Sequence, residues 1–454
     1  MRIIPLALAA FSSVVGQNVP LNVAQAVEQA GEKYAVVRVS SERIAEASAN
    51  ITLARQAFLP RADFVSQINR ATRNNVYGML FPQQVIAPIS GPPNPSNSLT
   101  NVWGTAAGFL VSWEPFDFGL RKAHVDVATA ARRRAETGVQ RTRFEVSAAA
   151  ADAFLTILAA QQTAEAAKSA VERAKVLHDL TTALVSAELR PGADSSRTRA
   201  GLAQAQAALI QSEQAANVAR AVLGQYLDSP AAAVHVAPGR LLQNPNEIQA
   251  IVAAKPEHPA VQEQQAAIDE SKARQKVLDR SFYPKFNAQG TLYARGTGAN
   301  PDFTTGGAAA GLGPNIHNWG LGFSMSLPVT EYLSLRVKRE AETARERTET
   351  ARMQQIRQDL NGRQEQAKAM LDGAIRISQT IPIQLEAAKA SLEQASVRYK
   401  AGLAGVLDVA EAQRLLTQTE IDGALAKLQI WRALLAIVTA QGDLKPFLDQ
   451  AVAP

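Results

Sequence analysis

A chain of 454 residues, 46% hydrophobic and 19% charged, is long and apolar enough to bury a substantial core, and its low aromatic share of 6% favours alanine-rich helices packed through small side chains. Its formal net charge of +6 is distributed along helices with acids among the bases, the pattern of a solvated helix face, which argues against nucleic acid as a partner. No cysteine is present, which excludes disulfides, thiolate metal sites, cysteine nucleophiles and a cysteine-linked lipid anchor.

The N-terminal MRIIPLALAAFSSVVGQ has one Arg, a short apolar run and then small residues, and predicts a signal peptide over 1–16. Beyond it there is no run of about eighteen apolar residues of the kind that spans a bilayer as a helix. Residues 17–227 read as a first helix-strand-strand-helix unit. A helix leads into an alternating stretch in ARQAFLPRADFVSQ, then a long loop rich in Gly, Pro and Asn, then the alternating WGTAAGFLVSW. A proline-free, alanine-rich run follows from about Leu120 to Glu188. It ends at a tip, LRPGADSSRTRAGLAQAQAAL, where Pro191 and Gly192 are expected to stop the helix and Asp194 to cap the next one.

Residues 228–246 are short, proline-bearing and irregular, and are expected to connect two halves while packing against the helices. Residues 247–441 repeat the first plan, and 442–454 form a C-terminal tail. Pro60 matches Pro284 and Tyr34 matches His258, both with a shift of 224 (284 − 60; 258 − 34), while Gly108 and Phe109 fall on Gly322 and Phe323. In NWGLGFSMSLP, Trp319, Leu321, Phe323, Met325 and Leu327 alternate with Asn318, Gly320, Gly322, Ser324 and Ser326. A soluble sheet with one wet face gives the same pattern. About ten residues per strand also suits a tilted strand in a bilayer, with the bulky row facing lipid. Four such strands cannot close a barrel, so in a membrane several chains would have to pool them.

The second loop, GTGANPDFTTGGAAAGLGPNIH, offers Gly296 and Gly298, but Pro301 occupies the sixth place where a dinucleotide fingerprint needs Gly. A second long run from about Leu333 to Lys400 is interrupted by Pro382, which predicts a kink or a break. Its tip, KAGLAGVLDVAEAQRLL, turns at Gly402 and Gly405. Asp408 falls in the first turn of the returning helix, and Glu411 lies one turn further on the same side. The five histidines are scattered, and there is no zinc spacing, no G-x-S-x-G elbow and no P-loop. No catalytic, cofactor or metal site is expected.

With WEPFDFGLRKAHVDVA after the second strand, PGADSSRTRAGLAQAQAAL at the first tip and AGLAGVLDVAEAQRLL at the second, in that order within a doubled plan, the chain resembles the TolC-like outer-membrane efflux proteins. The resemblance implies a mainly α protein with a small membrane β part. It implies a homotrimer in which each chain gives four strands to a shared twelve-stranded barrel and its helices to a periplasmic tunnel. It further implies the exit duct of a tripartite efflux or type I secretion system, set in outer-membrane lipid and meeting a periplasmic adaptor and an inner-membrane pump. Asp408 and Glu411 take the place of the acidic pair at the channel entrance. The tips, Pro191, Gly192, Ala193 and Asp194 with Gly402, Leu403, Ala404 and Gly405, take that of the adaptor contacts. Two departures stand out: Glu411 replaces a second aspartate, and Ala404 stands where some members have an arginine. The rival reading is a coiled-coil structural or adaptor protein of the periplasm or surface. Strands bearing Trp103, Trp113 and Trp319 argue against it.

Overall fold

The computed structural model describes residues 20–72, 99–246, 248–253, 257–302, 304–327 and 329–452. The signal-peptide expectation and most of the first long loop lie outside these residues. The chain forms two compact units: Met1–Arg43 with Ala135–Gln265 and Ala351–Pro454, and Ile44–Arg134 with Ala266–Thr350.

The first unit is helical. Helix α1 (Val23–Lys33) starts at Asn22, whose side chain accepts from the Gln25 N–H at 2.8 Å while the Gln25 side chain accepts from the Asn22 N–H at 3.0 Å. This reciprocal pair satisfies two donors that a helix start leaves open. The buried core joins Val23, Val27 and Ala30 of α1 to Phe154, Leu155, Ile157 and Leu158 of α3 (Leu120–Ser186), Leu223 and Leu227 of α4 (Gly192–Leu227), and Trp431, Leu434, Ile437 and Val438 of α8 (Val406–Gln441). The indole N–H of Trp431 donates to the Gln243 carbonyl at 2.9 Å, and Phe447 of α9 (Lys445–Val452) meets its ring edge-on. Burial of these apolar groups is the main stabilising term. The stretch between α4 and the short α5 (Ile248–Ala253) contributes Val234 and Leu241 to the same core, and Leu21 bridges to its Val236. Helices α3 and α8 are long and apolar enough to cross a membrane by composition, and half of each apolar stretch is buried here.

His258 precedes α6 (Pro259–Arg280). Its Nδ1 accepts from the Ala260 N–H at 3.0 Å and its Nε2–H donates to the Thr439 carbonyl at 3.1 Å, which requires the neutral ring. Burial holds its pKa below the ordinary value. Helix α7 (Glu331–Lys400) continues through Pro382, so the chain does not break there.

The second unit contains one antiparallel sheet, β1 (Arg61–Thr72), β2 (Asn101–Phe116), β3 (Lys285–Thr297) and β4 (Ile316–Ser326), in the order β1-β2-β3-β4, with α2 (Ala35–Gln56) leading into β1. Between β2 and α3 the chain reverses through Phe118 at φ 50° and Gly119 at φ 89°. Asp117 holds this joint. One of its oxygens accepts from the Gly119 N–H at 3.1 Å, and the other accepts from the Arg121 N–H at 2.7 Å and the Arg121 Nε–H at 2.9 Å. Arg121 also donates to the Ala57 carbonyl at 3.2 Å and lies over the Phe58 ring, so the segment between α2 and β1 is tied to the same buried ion pair as the β2–α3 joint.

Candidate functional site

Residues directly paired across an antiparallel sheet share a face, so the register sorts every strand residue. Phe64 pairs with Phe109, Phe109 with Leu292, and Leu292 with Trp319, giving one apolar row across all four strands. These four side chains are 63%, 56%, 64% and 80% exposed, far above what a soluble core face shows. The neighbouring row Ala62, Val111, Gly290 and Leu321 continues the surface, as do Trp113, Ala288 and Phe323. Leu321, Phe323 and Met325 are exposed, and so is Leu327, which follows the end of β4. The opposite face carries Arg61, Ser112, Gln289 and Gly322 in one row and Val65, Gly108, Tyr293 and Asn318 in another. The neighbouring strand runs close to Gly108, where a Cβ would come within 2.4 Å of the Leu292 carbonyl oxygen and of Tyr293 Cα. One face is therefore bulky and apolar, and the other is mostly small or polar, with Val65 and Leu110 among its apolar residues.

Aromatic rings gather where the sheet meets the helices. Phe118 contacts Phe116 at 4.6 Å and Tyr283 at 5.1 Å, Phe282 contacts Tyr332 at 5.1 Å, and the Trp113 indole donates to the Phe58 carbonyl at 3.0 Å.

The two tips close by the same backbone device. At the first, the Leu189 N–H donates to the Leu184 carbonyl at 3.0 Å and the Glu188 N–H to Val185 at 3.0 Å, around Glu188 at φ 58°. At the second, the Leu403 N–H donates to Arg398 at 2.8 Å and the Gly402 N–H to Tyr399 at 3.1 Å, around Gly402 at φ 78°. These are Schellman closures. The run expected to about Glu188 is helical to Ser186 and closes at Glu188, so the stop expected at Pro191–Gly192 is corrected: Pro191 is the N-cap of α4, and Gly192 is already helical. Asp194 does not cap α4, because the cap lacks a side-chain hydrogen bond; it lies in the first turn, 3.9 Å from Arg197. Proline suits that cap because its fixed φ fits and no N–H is needed there.

At the second tip Gly405 caps α8. Its N–H donates to Asp408 Oδ2 at 2.9 Å, and the Asp408 N–H points back to its carbonyl at 3.3 Å. Glu411 is exposed and 3.8 Å from Arg414. Leu403 is exposed and Ala404 half-buried. In this protomer Asp408 therefore does helix-start work, and both carboxylates face water.

Bonds that join the two hairpins have no local sequence signal. Arg190 stacks on Tyr399 at 4.7 Å and donates to its carbonyl at 2.9 Å, and Tyr399 is buried against Leu177, Val406 and Val409. Arg173 donates to Glu420 at 2.7 Å and to Thr417 at 2.9 Å, and Gln413 donates to the Arg173 carbonyl at 3.2 Å. Among the described residues no group of three or more His, Asp or Glu side chains gathers as a metal set.

The chain matches the family model described as outer membrane efflux protein over residues 26–228 and 250–443. No curated protein sequence matches it. Among solved structures it is similar to the outer-membrane channel OprN, with 20% identity, 92% of this chain and 89% of that one covered, and a TM-score of 0.69. It is similar to the CmeC outer membrane channel of Campylobacter jejuni at 14% identity, covering 95% and 89%, with a TM-score of 0.74. The open state of the Neisseria gonorrhoeae MtrE outer membrane channel matches at 14% identity, covering 92% and 88%, with a TM-score of 0.67. With both halves of the chain inside the family match and a sheet whose one face is an exposed apolar band, the chain belongs to the outer membrane efflux proteins and is an outer-membrane channel for efflux or secretion.

Proposed function

We propose that three copies of this chain pool their sheets into a twelve-stranded barrel whose apolar face, including Trp319, Leu321, Phe323, Met325 and Leu327, meets lipid, and that their helices continue it as a periplasmic tunnel. The observation that carries this reading is the exposed row Phe64, Phe109, Leu292 and Trp319, which runs to edge strands β1 and β4. Open edges cannot sit in hydrocarbon, and four strands are too few to close, so further copies must supply the partners. The aromatic cluster at the helix end of the sheet fits a girdle at a membrane boundary.

A two-fold repeat is supported by positions that recur at fixed offsets. Helices α2 and α6 both have 22 residues and start 224 apart (259 − 35). The left-handed helix ends at Glu188 and Asp228 recur 214 residues later at Gly402 and Gly442 (402 − 188; 442 − 228). The proposed domain plan is 1–16, 17–227, 228–246, 247–441 and 442–454.

In this assembly the tips, Pro191, Gly192, Ala193 and Asp194 together with Gly402, Leu403, Ala404 and Gly405, meet a periplasmic adaptor that leads to an inner-membrane pump. Asp408 and Glu411 form an acidic ring around the three-fold axis, which concentrates negative potential in a narrow passage. Single-channel recording tests the ring: Asp408→Asn with Glu411→Gln is expected to lower cation selectivity and relieve block by multivalent cations. Unchanged selectivity in assembled trimers returns both residues to a helix-start role. Outer-membrane fractionation tests the barrel, and a chain that washes off as a soluble protein rejects it.

A further inference from the structure

Among residues whose strand pairing places them on the apolar face, Arg70 is the only one with a formal charge. It pairs with Trp103 at the loop end of β1 and β2, on the side that carries Phe64, Phe109 and Leu292. Its guanidinium lies over the Trp103 indole, 5.1 Å from the ring centre, and its Nε–H donates to Asn101 Oδ1 at 2.7 Å. Stacking and this bond fix the plane of a planar donor group, while its two terminal nitrogens supply the fork that matches a phosphate.

The position explains why a charge is tolerated there. Arg70 lies six residues beyond Phe64, about 20 Å along the strand. Phe116 lies seven residues from Phe109 in the other direction, so the row of Phe64 and Phe109 is near the middle of the band and Arg70 is at its loop-side border. An arginine costs little at such a border and much at midplane. Ile68, exposed and on the same face, lies between it and the band.

We propose that Arg70, Trp103 and Asn101 form a binding site for the phosphate of an anionic lipid headgroup at the loop-side boundary of the membrane. This rests on the reading that the apolar face meets lipid. A headgroup is favoured over free phosphate because the site opens onto Ile68 and the apolar rows, where acyl chains gain contact and an inorganic ion gains nothing.

The test uses full-length protein in a neutral detergent, with diphosphoryl lipid A as the probe and native mass spectrometry as the readout. Wild type is expected to retain lipid A, Arg70→Gln to bind it about tenfold more weakly, and Arg70→Lys to fall between, since a point charge keeps attraction but loses the fork. Asn101→Ala, which frees the guanidinium plane, is expected to weaken binding by about threefold. Dephosphorylated lipid A should not be retained. Equal retention by Arg70→Gln overturns the site, and so does displacement of lipid A by millimolar inorganic phosphate, which would make it a general anion site. Flotation with lipid vesicles separates the two layers of the argument. Variants that float and assemble yet retain lipid A unchanged overturn the headgroup site alone, whereas wild type that does not float overturns the membrane placement and the site with it.

Discussion

The two halves of the chain share their helix-end turns but not the joint between strand and helix. In the first half the strand-to-helix joint is held by the buried pair of Asp117 and Arg121, and the long helices end at Glu188 and Asp228 in the left-handed region. In the second half, 214 positions on (331 − 117; 335 − 121), the joint carries exposed Glu331 and buried Leu335, and the helices end at Gly402 and Gly442. Backbone geometry is shared at the helix ends, where glycine in the second half replaces Glu188 and Asp228, but not at the joint, where Phe118 and Gly119 are left-handed while the matching Tyr332 and Leu333 are already helical. Substitutions at matching positions should have unequal effects.

The largest contrast is expected at the joint. Asp117→Ala leaves the Arg121 guanidinium buried without its carboxylate and should cost about 3–4 kcal/mol, because an uncompensated buried charge is far more expensive than a broken surface pair. Glu331→Ala should stay within about 0.5 kcal/mol. Adding Arg121→Leu to Asp117→Ala removes the unpaired charge and supplies the residue type of Leu335, and should recover about half the loss in thermal unfolding followed by circular dichroism. The same residue gives a pH test. Burial alone would raise the Asp117 carboxyl, but hydrogen bonds from the Arg121 N–H, the Arg121 guanidinium and the Gly119 N–H outweigh it and hold the pKa below 3.8. Its contribution is thus present above the unfolded value and lost as pH falls through the lowered folded one. Asp117→Ala should flatten that acid limb, and an unchanged limb would remove the joint from the account.

A smaller contrast is expected where α4 and α8 end. A Cβ on Gly442, at φ 95°, would lie 2.7 Å from His258 Cα and 2.9 Å from Pro259 Cδ. Gly442→Ala combines left-handed strain with a clash against backbone and ring, at about 2–3 kcal/mol. Asp228→Gly at the matching place should change stability by only a few tenths of a kcal/mol, since a short polar side chain tolerates that conformation. Equal effects in urea unfolding would break the comparison at this pair.

What was legible in the sequence follows the same division. Period-two alternation placed Trp319, Leu321, Phe323 and Met325 on one exposed face, because strand geometry leaves no other arrangement. The returning helix at Asp408 was legible because a helix start has local chemistry. The end of the first long run near Glu188 was legible, but its cause was not. Pro191 and Gly192 are the residues that usually stop a helix, yet Glu188 closes it, held by two backbone bonds that propensity does not report. Arg190 on Tyr399 and Arg173 on Glu420 join positions 209 and 247 apart, and only tertiary structure brings such pairs together. Asp117 and Arg121 stood in plain view within WEPFDFGLRK, and their spacing fits one helical turn, but burial is what gives them weight.

The smallest contrast isolates the backbone itself. Glu188 and Gly402 hold the same place in the same closure, and nothing would lie within 4 Å of a Cβ on Gly402, so substitution there tests conformation without packing. For Gly402→Ala, left-handed strain of about 1–2 kcal/mol exceeds the gain of about 0.5–1 kcal/mol from a less flexible unfolded chain, so a net loss of about 1 kcal/mol is expected. For Glu188→Gly the same two contributions reverse sign, and a net gain of about 1 kcal/mol should follow. Hydrogen exchange reads these changes where they occur. Leu403 and Leu189 donate the outer bonds of the two closures, so protection should fall at Leu403 in Gly402→Ala and rise at Leu189 in Glu188→Gly. Loss of protection at Leu189 in Glu188→Gly would mean that the glutamate side chain, not the turn, stabilises the first tip, and the shared-geometry account would fail there.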